Sequence, residues 1–245
     1  MITKNTIKSV AALRQQKYRK EQGLFVVEGR KMVNELIESD FEITQLFATE
    51  KYCAENEIHS DKVEIVTEVQ MEQMSGQDTA PGILAVVRQP KAKAIDSKAT
   101  LMLALDGISN PGNMGTIIRT ADWFGIRNIV CSNDCVEIWN PKVIQATMGS
   151  IFRMNITETD LEAYLSTAKS QGKAIYGALL NGENLFKMQG KAKGIVIIGS
   201  ESHGIRPNIL PFITHPITIP RAESSPTESL NASVAAAIIV AWMTK

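Results

Sequence analysis

The stretch LMLALDGISNPGNMGTIIRTADWFG, residues 101–125, joins an apolar run to a helical pattern through a loop of turn-forming residues. Apolar residues fill Leu101–Leu105, as is typical of a strand buried on both faces of a parallel sheet. Met114–Phe124 has the spacing of a helix and carries Arg119. Glycines in the loop between them let backbone amides approach a ligand closely. The stretch therefore predicts a strand, a binding loop and a helix in succession.

The same pattern continues to the C-terminus, where apolar runs alternate with segments able to hold a helix. This alternation predicts a parallel sheet covered on both faces, with ligands at the carboxyl ends of its strands. We expect Thr159 to cap the helix at 160–170 and Gly172 to end it. The further strands are expected at Asn128–Val130, Met154–Ile156, Ala174–Ala178, Ile195–Ile198 and Ile217–Ile219, and the further helices at Pro141–Met148, Asp160–Ser170, Pro207–Ile213 and Leu230–Trp242.

Residues 1–92 have shorter elements and predict a separate, smaller α/β domain. Residues 93–99 are polar and rich in alanine and lysine, so we interpret them as a linker to a second domain at 100–245. In the first domain, helices are expected at 6–20, Arg30–Ser39, Lys51–Glu57 and Glu68–Gln73, and strands at Leu24–Val27, Ile43–Ala48, Val63–Val66 and Gly82–Val87.

Composition supports a globular protein and argues against disordered, collagen-like and membrane classes. The 245 residues are 44% hydrophobic and 21% charged, and no apolar run approaches the length of a membrane span. Three cysteines and an N-terminus without an apolar targeting segment lead us to expect a reducing, cytoplasmic location and no membrane partner.

Charge is segregated although 26 basic and 26 acidic residues cancel overall. Residues 1–31 hold 8 basic and 2 acidic groups, a balance of +6, whereas residues 32–95 hold 5 and 12, a balance of −7. A basic segment attracts a polyanion locally, since salt screens charges over about 10 Å. The alternative is an ordinary solvated helical face. The candidate RNA-binding residues are Arg14, Lys17, Lys20, Arg30 and Lys31.

Two generic nucleotide sites and a zinc site fit the sequence poorly. Gly199 and Gly204 lack the middle glycine of a dinucleotide fingerprint, and Ile205-Arg206 replaces the lysine and hydroxyl residue of a P-loop. An oxidoreductase or nucleotidase is therefore only a minor alternative. Cys131 and Cys135 form a C-x-x-x-C pair without further ligands at metal spacing, so we expect buried or half-buried thiols and no metal.

Three ordered motifs carry a family resemblance. They are Asn110–Gly115 with Arg119, Ile198–Gly204, and Ile219-Pro220 followed by Ser229–Ala235. The set resembles the SpoU/TrmH branch of the SPOUT RNA methyltransferases, and the stretch from Lys17 to Gly29 resembles that family's ribosomal-protein-like RNA-binding domain.

The resemblance implies an S-adenosylmethionine-dependent methyltransferase that acts on a ribose 2'-hydroxyl of structured RNA. The implied fold is a C-terminal SPOUT α/β trefoil-knot domain with a parallel sheet, plus a small N-terminal α/β/α RNA-binding domain. The knot would form both the cofactor pocket and a homodimer interface. The accessory domain favours ribosomal RNA, with transfer RNA as the alternative.

The resemblance also implies site residues. Arg119 would lie at the reacting centre, either as proton acceptor or as a positioning group; a guanidinium does not readily give up its proton in proteins, which favours positioning. Other interpretations stay open for some of them: Ser229 could cap the last helix, Glu201 could be a helix-start carboxylate, and Leu179 and Ile198 could be sheet core. The implied catalytic residues are Asn110, Arg119, Glu201, Ser229 and Asn231, and the implied cofactor-binding residues are Leu179, Ile198, Gly199, Ile219 and Leu230.

One segment departs from the family pattern. Residues Arg221–Glu228 separate Ile219-Pro220 from the last motif without a glycine. The family pattern has a nearby glycine and a shorter path, so we expect a longer or less ordered loop here. We expect this difference to affect the affinity for the cofactor more than the fold. A knotted RNA-binding dimer without catalytic activity is therefore the alternative from another functional class.

Overall fold

A computed structural model describes residues 2–56, 62–91, 95, 99–189 and 191–245. The chain divides into two compact units. The first is Met1–Lys91 with Glu137–Phe152, and the second is Ala92–Val136 with Arg153–Lys245. Segment 137–152, expected in the second domain, thus groups with the first unit. Of the expected linker 93–99, all but Ile95 and Ala99 lie outside the described residues.

The described residues form ten strands and nine α-helices, which agrees with the expected α/β class. The strands are β1 (Leu24–Glu28), β2 (Ile43–Thr49), β3 (Glu64–Val66), β4 (Ile83–Arg88), β5 (Leu101–Asp106), β6 (Asn128–Ser132), β7 (Asn155–Thr159), β8 (Ile175–Asn184), β9 (Gly194–Gly199) and β10 (His215–Thr218). The helices are α1 (Lys4–Ala12), α2 (Gln16–Gln22), α3 (Arg30–Ile37), α4 (Glu50–Asn56), α5 (Glu68–Met74), α6 (Pro111–Trp123), α7 (Pro141–Thr147), α8 (Leu161–Ser170) and α9 (Ala232–Met243).

The first unit is built on a four-stranded mixed sheet with the order β1-β4-β2-β3. Strand β4 is antiparallel to both β1 and β2, and β2 is parallel to β3. Segment 137–152 packs into this unit: the Trp139 ring stacks on Phe25 with centroids 4.7 Å apart. The apolar core under the sheet consists of Ile7, Val10, Leu13, Val26, Phe47, Val66, Met71, Met74, Leu84 and Val86.

The expected helix at 6–20 is instead two helices, α1 and α2, because a buried arginine stabilises the break. Arg19 is 1% exposed and donates to the carbonyl oxygens of Leu13 and Arg14, each at 2.8 Å. Its guanidinium also pairs with both carboxylate oxygens of Glu137. These contacts satisfy carbonyl groups that the end of a helix leaves without an intrahelical partner.

The second unit contains the predicted parallel sheet, with six strands in the order β10-β8-β9-β5-β6-β7. All neighbouring pairs are parallel. Strand β5 lies inside the sheet and every residue of it is buried, which explains why Leu101–Leu105 are all apolar. The prediction of a parallel α/β sheet with a separate N-terminal α/β unit is therefore confirmed.

Two local predictions in the second unit were wrong. Asp160, and not Thr159, caps α8 by accepting from the Ala163 amide at 3.1 Å, because Thr159 is the last residue of β7. The expected helix Pro207–Ile213 is only a short 3-10 turn at 210–212. Pro211 has no amide hydrogen to donate and disfavours helical backbone before it, so an α-helix cannot continue there. Gly172 follows α8 with φ +73°, as expected for a helix end.

Candidate functional site

The three motif loops begin at one edge of the six-stranded sheet. Parallel strands place their carboxyl ends together, and Asp106 at the end of β5 lies in register with Gly199 at the end of β9. The first motif loop follows Asp106 and leads into α6, and the second follows Gly199. The third follows β10 and leads into α9, which packs against α6. This edge is the candidate site.

Asn113 joins the three loops through one amide side chain. Its Oδ1 accepts a hydrogen bond from Asn231 Nδ2 at 3.1 Å, and its Nδ2 donates to Glu201 Oε1. Glu201 belongs to the second motif and Asn231 to the third. The structure thus brings together two predicted catalytic residues through a third residue that the sequence interpretation did not single out.

Asn231 is also the N-cap of α9. Its Oδ1 accepts from the Ser233 amide at 2.9 Å, the Val234 amide at 3.3 Å and the Ser233 hydroxyl at 2.7 Å. One side chain therefore fixes the start of the helix with its oxygen and reaches Asn113 with its nitrogen. Ser229 is exposed and lies two residues before the cap, so the interpretation of Ser229 as the helix cap was wrong.

Asn110 caps α6 in the same way. Its Oδ1 accepts from the amides of Gly112 at 2.8 Å and Asn113 at 3.1 Å, and Pro111 occupies the first turn. The role that this geometry supports is to fix the start of α6 and hence the position of Asn113. Direct participation of Asn110 in catalysis stays a prediction.

Arg119 is exposed on α6, six residues after Asn113. Within the part of the chain that the structure describes, its guanidinium has no hydrogen-bond or ion-pair partner. A guanidinium left free to bind a ligand retains five N–H donors and a full positive charge. This arrangement suits a group that binds a phosphate or another anion.

Gly199 is required because the backbone of the second loop passes directly over it. A Cβ atom at this position would lie 2.1 Å from the carbonyl carbon of Gly204. Ser200 and Gly204 close the loop with two backbone hydrogen bonds of 3.0 and 2.9 Å. The tight turn holds Glu201 near Asn113 and leaves backbone groups of the loop at the sheet edge.

Asp106 and Arg206 form an ion pair in which the carboxylate is buried and the guanidinium is half-buried. Asp106 is fully buried, and its carboxylate accepts from the Arg206 backbone amide at 2.8 Å and from Arg206 Nε at 2.6 Å. Arg206 Nη1 also contacts Asp134 at 3.1 Å. Burial acts to lower the pKa of Arg206, but these carboxylates outweigh it and the pKa is raised. The sequence interpretation noted Arg206 only as a mismatch to a P-loop.

The predicted cofactor-binding residues differ in exposure. Ile198 is buried in β9, and Leu179 is half-buried against the apolar core, so both also serve as sheet core. Ile219 is half-buried directly after β10, while Leu230 is 44% exposed beside Asn231. Gly199, Ile219 and Leu230 thus lie at the ends of β9 and β10 and at the start of α9, where backbone and side chain can contact a ligand.

The five predicted RNA-binding residues are all exposed on the first unit. Arg14 additionally donates to the Gln73 carbonyl at 2.6 Å. Arg19, which contributed to the charge balance of the N-terminal segment, is buried and paired, so it adds nothing to the exposed basic surface. The exposed residues are Arg14, Lys17, Lys20, Arg30 and Lys31.

A pair of thiols lies at the end of β6. Cys131 is buried and Cys135 is half-buried, as the sequence predicted. A hydrogen bond from Cys131 lowers the pKa of Cys135 to about 7 against the opposing effect of burial, with help from Ser132 and nearby backbone groups. The same pairing and burial raise the pKa of Cys131. The Ser132 hydroxyl also accepts from the Gly107 amide at 2.9 Å.

The described residues contain neither a metal-ligand cluster nor a membrane-spanning helix. In the ranges that the structure covers, no three His, Cys, Asp or Glu side chains are grouped as metal ligands would be. None of the helices built from those residues is long and apolar enough to cross a bilayer.

Family models match both parts of the chain. One for the SpoU rRNA methylase family matches residues 100–241, and one for an MRM3-like substrate binding domain matches residues 4–85. The chain is 26% identical over 236 residues to the 23S rRNA (guanosine(2553)-2'-O)-methyltransferase RlmP of Bacillus subtilis, over 96% of this chain and 94% of that protein.

Two solved structures resemble the chain over nearly its whole length. A protein of the TrmH family from Porphyromonas gingivalis has a TM-score of 0.89 and 34% identity, covering 99% of this chain and 98% of its own. An AdoMet-bound rRNA methyltransferase from Sinorhizobium meliloti has a TM-score of 0.85 and 25% identity, covering 99% and 95%.

Proposed function

The chain belongs to the SpoU rRNA methylase family, and we propose that it transfers a methyl group from S-adenosylmethionine to a ribose 2'-hydroxyl of ribosomal RNA. The observation that carries the proposal is the pair of hydrogen bonds by which Asn113 joins Glu201 and Asn231. Asn113 lies on α6, the helix that also carries the exposed Arg119. Residues from three separate parts of the sequence meet at the one edge where parallel sheets bind ligands. Similarity to an rRNA 2'-O-methyltransferase over almost the full length supports the same reaction.

The residues at this edge fit S-adenosylmethionine. The ligand combines a flat aromatic adenine with polar groups. The candidate residues combine half-buried side chains with a tight loop, in which the Gly204 backbone passes over Gly199. Gly199, Ile219 and Leu230 would hold it, with Leu179 and Ile198 behind them. When bound, S-adenosylmethionine supplies a sulfonium methyl group that is already a good electrophile.

The chain must supply alignment and help with the hydroxyl proton, because a ribose hydroxyl is a weak nucleophile. We assign Arg119 to bind a phosphate beside the target ribose and to stabilise the oxyanion that develops on the 2'-oxygen. Glu201 and Asn231 hold the loops through Asn113, Asn110 fixes the start of α6, and Ser229 is a candidate for a direct contact with RNA.

The N-terminal unit is proposed to bind RNA through its exposed basic residues. The match to a substrate binding domain at residues 4–85 supports this assignment. Phosphate contacts of lysine and arginine position an RNA without specifying its sequence. Ribosomes and their RNA are cytoplasmic in bacteria, so we propose the same location.

The domain boundaries, the trefoil knot and a homodimer complete the proposal. We place the RNA-binding domain at 1–92 and the methyltransferase domain at 100–245. Apolar residues exposed on the second unit favour a dimer: Trp123 is 83% exposed on α6, and Val234 is 47% exposed on α9.

Methyl transfer in vitro tests this function. The full chain would be incubated with methyl-labelled S-adenosylmethionine and either ribosomal or transfer RNA, and the labelled nucleosides would be separated. We expect 2'-O-methylated nucleosides from ribosomal RNA. Label only in transfer RNA would favour the transfer RNA alternative, and RNA binding without transfer would favour a non-catalytic dimer. Label in bases alone would contradict the proposed reaction.

A further inference from the structure

We propose that Arg206 is a positioning residue for the second motif loop, Gly199–Gly204, and that it sets the affinity for S-adenosylmethionine without touching the reacting atoms. The inference rests on the proposed function and deepens it. Arg206 comes two residues after Gly204 and returns to the sheet edge from which the loop departs.

Asp106 is the anchor for both ends of this loop. Its backbone pairs in register with Gly199, where the loop begins. Its carboxylate holds Arg206, where the loop ends, through the backbone amide and through the side chain. The two ends of the loop are therefore fixed to one buried residue at the carboxyl end of β5.

Breaking the Asp106–Arg206 ion pair costs free energy because the Asp106 side chain is fully buried, whereas Arg206 is 35% exposed. A buried carboxylate that loses its cation keeps an uncompensated charge away from water. The hydrogen bonds involved are charge-assisted, and Nε and Nη2 both reach Asp106 Oδ1, the latter at 2.5 Å. Lysine carries the same charge but cannot reproduce this planar arrangement of donors.

The loop transmits its position directly to the candidate site. The backbone pair between Ser200 and Gly204 closes it, and Ile205, which joins Gly204 to Arg206 in sequence, is buried in the apolar core of the sheet. A shift of Arg206 would therefore move Gly199–Gly204 as a unit. Glu201 on this loop contacts Asn113, so the same shift would change that contact.

Asp134 extends the anchor to a third strand. It follows β6 and accepts from Arg206 Nη1 at 3.1 Å, while Nε and Nη2 stay on Asp106. One guanidinium thus links the last residue of β5 to the segments that follow β6 and β9. These contacts determine the position of the loop Gly199–Gly204 and take no part in the methyl transfer itself.

The test compares Arg206→Lys and Arg206→Met with wild type in the full chain. The control is Arg127→Met, which removes an arginine from an ion pair with Asp122 in the same unit. Thermal unfolding reports whether each variant is folded. Calorimetry measures the Kd of S-adenosylmethionine, and transfer assays measure its KM and the kcat at saturating cofactor.

We expect Arg206→Met to raise Kd and KM about 10- to 100-fold, the range for losing hydrogen bonds to a charged group. The kcat at saturating cofactor should fall less than about threefold, since Arg206 makes no contact with reacting atoms. Arg206→Lys should give an intermediate Kd, because lysine restores the charge alone. Arg127→Met should stay within about twofold of wild type in all three quantities.

A folded Arg206→Met variant with wild-type Kd would overturn the inference, and so would a loss confined to kcat. If Arg206→Met does not fold, Arg206→Lys decides: an unchanged Kd overturns the positioning role, and a raised Kd with retained kcat supports it. A wild-type chain that fails to bind S-adenosylmethionine would instead refute the proposed function, so the two failures are distinguishable.

Discussion

Asn113 connects the candidate site because an amide offers a donor and an acceptor at the same distance from the backbone. Its oxygen accepts from Asn231 and its nitrogen donates to Glu201. Neither a carboxylate nor an aliphatic side chain can make both contacts. The geometry therefore depends on this residue type at the first turn of α6.

Asn113→Asp should lower kcat/KM by more than about tenfold, since charge-assisted hydrogen bonds contribute roughly 1.5–3 kcal/mol. The new carboxylate would face the Glu201 carboxylate with no hydrogen between them. Asn140→Asp is the matched control, because Asn140 caps α7 by accepting from the Lys142 amide at 2.9 Å and aspartate caps a helix about as well as asparagine. Steady-state kinetics of both variants decide the point. Equal effects of the two substitutions would show that Asn113 has no special role.

Cys135 should react with iodoacetamide at lower pH than an ordinary cysteine. Its pKa is lowered to about 7 by the hydrogen bond from Cys131, so half of it is thiolate near neutral pH. The alkylation rate should rise with pH and level off above about pH 8, one unit beyond that pKa. Cys131 is buried with a raised pKa and should stay unmodified in the folded protein.

Peptide mass spectrometry after timed alkylation measures both cysteines in one sample. Cys131 is the internal control, and a denatured sample shows that it can react once exposed. A Cys135 rate that keeps rising to pH 9 would contradict the lowered pKa.

At the level of elements, the sequence predicted every strand because apolar runs report burial on a sheet. It did not predict the break between α1 and α2, since no glycine or proline marks it. That break depends on Arg19 and Glu137, which are 118 residues apart in sequence. The order of the strands in each sheet also depends on contacts between segments that are distant in sequence. The hydrophobic periodicity of one segment carries no information about such contacts.

The candidate site was predictable to the level of its loops, and less so to the level of its side chains. The family resemblance implied Glu201 and Asn231 as site residues, but it pointed to Asn110 and not to Asn113 as the polar group of the first loop. The available signal was a second asparagine three residues further on, one helical turn inside α6. Which asparagine caps the helix and which crosses to other loops becomes visible only in three dimensions.

Gly199→Ala tests the close approach of the second loop. The added methyl carbon would lie 2.1 Å from Gly204 backbone, so the loop must move away from the sheet edge. We expect at least about a tenfold loss of S-adenosylmethionine affinity, consistent with overpacking costs of about 1–3 kcal/mol. Titration calorimetry measures it.

The control is Gly172→Ala, which adds a methyl group at a position with φ +73° and no neighbour within 4 Å. It should reduce thermal stability modestly and leave the affinity unchanged. Wild-type affinity in Gly199→Ala would mean that the loop does not hold the cofactor.

At the scale of the whole molecule, the N-terminal segment has a basic surface even though Arg19 is buried. Of its 8 basic residues, 7 are exposed, since only Arg19 is buried. The same buried arginine ties segment 137–152 to the first unit. Deleting residues 1–95 would remove Arg19 and Phe25, the partners of Glu137 and Trp139. Point substitutions leave these contacts in place, so they test RNA binding more directly than truncation.

Replacing Lys17, Lys20 and Lys31 together by alanine should weaken ribosomal RNA binding and its dependence on salt. Each lost phosphate contact should reduce the slope of log K against log salt by roughly 0.7–0.9. Binding would be measured by filter retention at several salt concentrations. Lys51→Ala, an exposed lysine within the acidic segment, is the control and should leave the slope unchanged. An unchanged slope in the triple variant would identify the basic segment as a solvated surface.

The central claim is that the chain methylates a ribose 2'-hydroxyl, and alkaline cleavage of RNA tests it most directly. A 2'-O-methyl group removes the hydroxyl that attacks the phosphate, so a methylated site resists alkali. We predict one protected position in ribosomal RNA from cells with the gene, absent from cells without it and from cells that carry only Arg119→Ala. Identical cleavage patterns in all three RNAs, with methylation confined to bases, would contradict the account.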